Sequence, residues 1–144
     1  MTNTTNLETL TDTTYDSVEG YRKAMEKAEN PQLKQALQQR LDRRQETLAK
    51  LNAELQRQGG ELRTKGTVTG ELHRLWLGIA DMFENGDEAA AERVEEGEDY
   101  LKGKFESALD DKDMDAQQRT VIQQCYAEIC EGERFGDMIE HQYD

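Results

Sequence analysis

The chain has 144 residues, one proline and 6% aromatic residues, the make-up of a single helical domain long enough to bury a real core. Acidic residues outnumber basic ones 31 to 18, for a net charge of −13 and a pI near 4.6, and so negative a surface argues against nucleic-acid and membrane-surface roles. No apolar run approaches the roughly 20 residues of a membrane span, and Met1-Thr2-Asn3-Thr4-Thr5-Asn6 lacks the basic and apolar parts of a signal peptide, which implies a cytoplasmic protein with a disordered start over residues 1–6.

Leu7, Leu10, Thr14, Val18, Tyr21, Met25 and Ala28 recur at steps of three and four, one face of a helix. Asn30-Pro31 closes that helix and opens another, asparagine as N-cap and proline at the first helical position. The connection is short enough to force an antiparallel hairpin over residues 7–58. Its second helix carries Leu33, Leu37, Leu41, Arg44, Leu48, Leu51 and Leu55 and stops at Gly59-Gly60. A loop to Gly66 leads into a shorter crossover helix over residues 67–84, with Val68, Leu72, Leu75, Trp76, Ile79, Met82 and Phe83 on one stripe.

Asn85-Gly86 ends the crossover, and Asp87 is the expected cap of the next helix. A second hairpin spans residues 88–142, with Ala91, Val94, Glu98, Leu101, Phe105 and Ala108 on one helix. The other carries Val121, Ile122, Cys125, Ile129, Gly132, Phe135, Ile139 and Tyr143. The predicted architecture is all-α. It is a four-helix bundle in one domain, 1–144, with an additional short crossover helix between the second and third bundle helices, as in ferritin-like folds.

The string Gly66-Thr67-Val68-Thr69-Gly70-Glu71-Leu72-His73-Arg74-Leu75-Trp76, followed by Glu95-Glu96-Gly97-Glu98-Asp99, resembles a family of small bacterial ferritin-like four-helix-bundle proteins of unknown function. Asp16, Gly20-Tyr21-Arg22 and the Gly59-Gly60 break add to the likeness, which runs from Leu7 to about Met138. The resemblance implies a ferritin-like bundle and carries no established reaction. Members often show a histidine in the middle of the last helix, where this chain has Glu133.

Two charges fall where hydrophobes belong. Glu98 lies between Val94 and Leu101 on its stripe, and Arg44 occupies a stripe position midway along the second helix. Buried charges are costly unless paired, so these two are expected to form an internal ion pair that fixes helix register, with Thr14 and a tyrosine adding hydrogen bonds. The competing reading is an all-carboxylate iron or manganese site built from Glu95, Glu98, Glu128 and Glu131, two pairs at i,i+3 spacing. The Glu-x-x-His pairs that di-metal bundles use are absent: His73 and His141 are preceded three residues earlier by Gly70 and Met138.

The remaining polar residues read as structure. His73 is expected to cap or pack at a helix start, and Trp76 to pack in the core, a dimer surface being its alternative role. Cys125 and Cys130 lie five apart on one helix, which points them about 140° apart and makes a disulfide between them implausible. Neither has a nearby histidine in sequence, and there is no nucleophile elbow or phosphate loop. Gly97 and Gly132, costly inside helices, are expected to mark close approach between the helices of the second hairpin. The functional expectation is a non-catalytic bundle without a cofactor, acting through a protein partner or self-association, or in stress response.

Overall fold

The computed structural model describes residues 5–64, 74–76, 78–82 and 86–143. These form α1 (Thr5–Lys27), α2 (Pro31–Arg57), the short α3 (Ile79–Met82), α4 (Asp87–Leu109) and α5 (Ala116–Tyr143). The fold is an all-helical bundle of four long helices, with no strand among the described residues. No helix among them is long and apolar enough to cross a membrane.

The first helix begins at Thr5, so Thr5 and Asn6 are helical although the sequence places them in a disordered start. Its threonines are accommodated by folding their hydroxyls back onto the preceding turn. Thr9 donates to the Thr5 carbonyl at 3.0 Å and Thr11 to the Leu7 carbonyl at 2.6 Å. Asn30 caps α2, its Oδ1 accepting from the backbone N–H groups of Gln32 at 2.8 Å and Leu33 at 3.2 Å. Asn30→Ala is expected to lower stability by about 1 kcal/mol, read from urea midpoints, because it frees those donors. At the other end of α2, Gly59 takes the left-handed turn at φ 87°, and Gly60 N–H donates to the Leu55 carbonyl at 2.9 Å.

The start of α4 differs from expectation. Gly86, at φ 102°, holds the cap position and no side chain caps the helix. Asp87 is already inside the first turn, and its Oδ2 accepts from the Asn30 backbone N–H at 3.4 Å, tying the two hairpins together. Asp115 caps α5, accepting from the N–H groups of Gln117 and Gln118 at 3.0 Å.

Two tight hairpins, α1–α2 and α4–α5, meet along two sparser seams, α2–α5 and α1–α4. The interior is filled by Leu7, Leu10, Tyr21, Leu37, Leu51 and Phe105, together with residues of the segment between the hairpins. Ile79 and Trp76 are both buried. A methyl group placed on Gly20 of α1 or on Gly97 of α4 would collide with the Trp76 ring, in the second case 2.7 Å from Cε2. The indole is therefore gripped by two glycines on facing helices.

Gly97 and Gly132 do not face each other, contrary to the reading of close helix approach between them. Gly97 makes room for Trp76, and it is Gly136 that lets α5 approach α4, a Cβ there lying 3.0 Å from Glu95 Cα. Val68, Leu72, His73, Phe83 and Asn85 of the predicted crossover lie outside the described residues.

Candidate functional site

The stripe Leu37-Leu41-Leu51 turns one face of α2 inward, and Arg44 lies on that face with no exposed surface. A guanidinium delivered there must find anions or bear the full desolvation cost. It finds two. Nη1 and Nη2 fork onto Glu98 of α4, at 2.8 Å to Oε1 and 2.7 Å to Oε2. Nε donates to Glu128 Oε1 of α5 at 2.7 Å. Nη1 also donates to Ser17 Oγ of α1 at 2.9 Å, and the Tyr21 ring lies 5.5 Å from the guanidinium carbon.

Every long helix thus supplies one group to a single buried cluster: Ser17, Arg44, Glu98 and Glu128. Thr47 donates to Glu128 Oε1 at 2.7 Å, and Arg40 pairs with Glu128 Oε2 while donating to the Glu128 carbonyl at 3.2 Å. Two guanidiniums face two carboxylates, so the cluster is neutral overall. Gly132 makes the space: a methyl group there would overlap Glu98 Oε2 and press on Arg44 Nη2.

The electrostatics follow from this geometry. Burial opposes the charge on Arg44, but Glu98 and Glu128 together outweigh it and hold the guanidinium firmly protonated. Burial pushes the Glu98 carboxyl above its ordinary range, against the pull of Arg44. Burial also raises Glu128, yet the charge of Arg44 and the hydrogen bonds from Arg44 and Thr47 win, leaving its carboxyl below the ordinary range.

The partners differ in part from those expected. Ser17, not Thr14, donates and accepts within the cluster: its hydroxyl donates to the Thr14 carbonyl at 2.7 Å while accepting from Arg44. Thr14 Oγ1 and the Tyr21 hydroxyl make no hydrogen bond among the described residues, so the tyrosine contributes its ring face and not its hydroxyl.

The four carboxylates considered for a metal do not share one place. Glu98 and Glu128 meet on Arg44. Glu131 is half-exposed with Arg43 at 2.8 Å and Arg40 at 3.6 Å. Glu95 lies instead with Asp137 and Glu140, one oxygen of each within 4.8 Å of the others. Burial, with Asp99, Glu140 and Asp137 nearby, pushes the Glu95 carboxyl up to about 7. Chemically, the oxygens of Glu98 already accept from Arg44 and those of Glu128 from Arg44, Arg40 and Thr47, so a cation at the centre would have to displace Arg44.

Both cysteines are free thiols. Cys125 is buried, its Sγ 3.9 Å from the Thr47 carbonyl, and burial pushes the thiol up to about 12, which leaves it protonated and unreactive. His73 lies outside the described residues.

Sequence reasoning placed Glu128 only among possible metal ligands and did not single out Arg40, Thr47 or Ser17. One signal was present. Arg40 and Arg44 are i,i+4 on α2, and Glu128 and Glu131 are i,i+3 on α5, two complementary charge pairs on helices that can face each other. Among known proteins, a family described as a domain of unknown function matches residues 2–111. No curated protein and no solved structure matches the chain.

Proposed function

The chain belongs to the DUF2383 family, a domain of unknown function, and from that premise we propose that it is a non-catalytic bundle of ferritin-like type that works in the cytoplasm through protein contacts, as a stress-response factor would. The observation that carries this reading is the commitment of Glu98 and Glu128 to Arg44. A centre for redox or hydrolytic chemistry needs open coordination positions or an unsatisfied base, and these carboxylates offer neither. Instead they act as a register device, since only one alignment of four helices brings the fork, the Nε bond and the Ser17 bond together.

The competing reading is iron or manganese held on carboxylates. Calorimetric titration of metal-stripped protein with Mn²⁺ and Fe²⁺, followed by elemental analysis after gel filtration, separates the two. No stoichiometric retention is expected. Tight binding of one or two ions per chain, abolished by Glu98→Ala, would replace the structural reading with the metal one.

A further inference from the structure

The two seams between the hairpins are built from different chemistry. Along α2–α5, arginine–carboxylate pairs cross the contact at one end and again around its middle. Arg57 meets Asp115 at 3.0 Å near one end, Arg44 and Arg40 meet Glu128 in the middle, and Arg43 meets Glu131 at 2.8 Å beyond it. The α1–α4 seam is held by an indole between two glycines, Trp76 against Gly20 and Gly97, a contact that a proton does not alter. A polar groove of about 110 Å³, lined by Arg43, Thr47, Lys50, Gln124, Glu128 and Glu131, leads from solvent to the buried Glu128 carboxylate.

We propose that α2–α5 is an acid-operated seam: protonation of Glu128 through this groove unfastens α5 from α2, while the bundle stays joined along α1–α4 at Trp76.

The charged groups facing Glu128 set the direction. From α2 these are Arg40, Arg43, Arg44, Glu46 and Lys50, from α4 Glu98, and on its own helix Glu131. The Glu128 carboxyl is held below its unfolded-chain value, so its contribution is complete above the ordinary carboxylate range and is lost as pH falls through the folded value. Asp115 follows the same rule, lowered first by the Gln118 backbone N–H. Glu98 does not share this sign: burial raises its carboxyl against the pull of Arg44, so its protonation is favoured in the folded bundle and the acid response of the seam falls to Glu128.

The α4–α5 hairpin responds oppositely. Glu95, raised by burial and then by Asp99, Glu140 and Asp137, and Glu133, raised by burial and its bond to Asp137, repel their neighbours when ionised. Acid removes that repulsion, so this hairpin tightens as the α2–α5 seam loosens.

Two probes already in the chain read the two seams separately. Cys125 lies in the α2–α5 contact against Thr47, and Trp76, the chain's single tryptophan, lies in the other. In a Cys130→Ser background, labelling of Cys125 by a pyridyl disulfide that reacts in acid is followed from about pH 7 to about pH 3 beside Trp76 fluorescence. The labelling rate is expected to rise at least about tenfold before the tryptophan emission shifts. Glu128→Gln is expected to give the fast rate already at neutral pH. Should that variant fail to fold, Thr47→Val, which removes one hydrogen bond to the carboxylate, is expected to move the labelling midpoint to higher pH. A single transition in which both probes change together overturns the proposal. So does a Thr47→Val midpoint identical to that of the parent chain.

Discussion

Arg44→Met is expected to destabilise the bundle by about 3–5 kcal/mol, because it leaves Glu98 buried without its only guanidinium. Glu98 has no exposed surface and, among the described residues, its two oxygens accept from Arg44, so neither water nor a neighbour replaces the fork. Glu128 is better protected, since Arg40 and Thr47 remain. Adding Glu98→Leu to Arg44→Met is therefore expected to restore most of the loss, as replacing a buried pair by well-packed apolar groups is often neutral. Urea unfolding of the parent, both single variants and the double variant measures the coupling, expected at about 1–3 kcal/mol. Simple additivity would mean that the two side chains do not depend on each other.

Gly132→Ala is expected to cost about 2–4 kcal/mol, from overpacking against the Glu98 carboxylate and displacement of the Arg44 fork. Helix propensity alone predicts the opposite sign, a gain of about 1 kcal/mol for alanine over glycine within a helix. Gly103 on α4 supplies the control: a Cβ there meets nothing within 4 Å, so Gly103→Ala is expected to stabilise by up to about 1 kcal/mol. Thermal melts of the two variants should move in opposite directions. Two rises of similar size would show that Glu98 does not lie against α5.

The helices are written plainly in the chain because each long stripe keeps to steps of three and four, and because Asn30-Pro31 and Gly59 mark their boundaries with residues whose backbone preferences suit those positions. Arg44 and Glu98 stand out for the same reason, as charges on otherwise apolar stripes, and in the structure they do meet. Glu128 is harder to see. It sits just off the Cys125–Ile129 stripe, where a residue is wet or dry depending on how closely a neighbouring helix approaches, and the groups that cover it, Arg40, Arg44 and Thr47, lie on a helix more than 80 residues away in sequence. Ser17 and Thr47 are silent for another reason: hydroxyl groups on helices are as often bonded to their own preceding turn as to anything distant. Gly86 taking the cap from Asp87 is a one-residue shift that spacing alone does not resolve.

The cluster's members are far apart along the chain, Arg44 lying 27 residues from Ser17, 54 from Glu98 and 84 from Glu128. Each half of the molecule is therefore born unfinished: the first hairpin carries inward guanidiniums and the second inward carboxylates. Such halves attract before they touch, and two copies of the same half would bring like charges together in the middle of their apolar faces. Pairing of unlike halves is therefore favoured over pairing of identical ones, so the same charges that align the finished helices also select which hairpin docks on which.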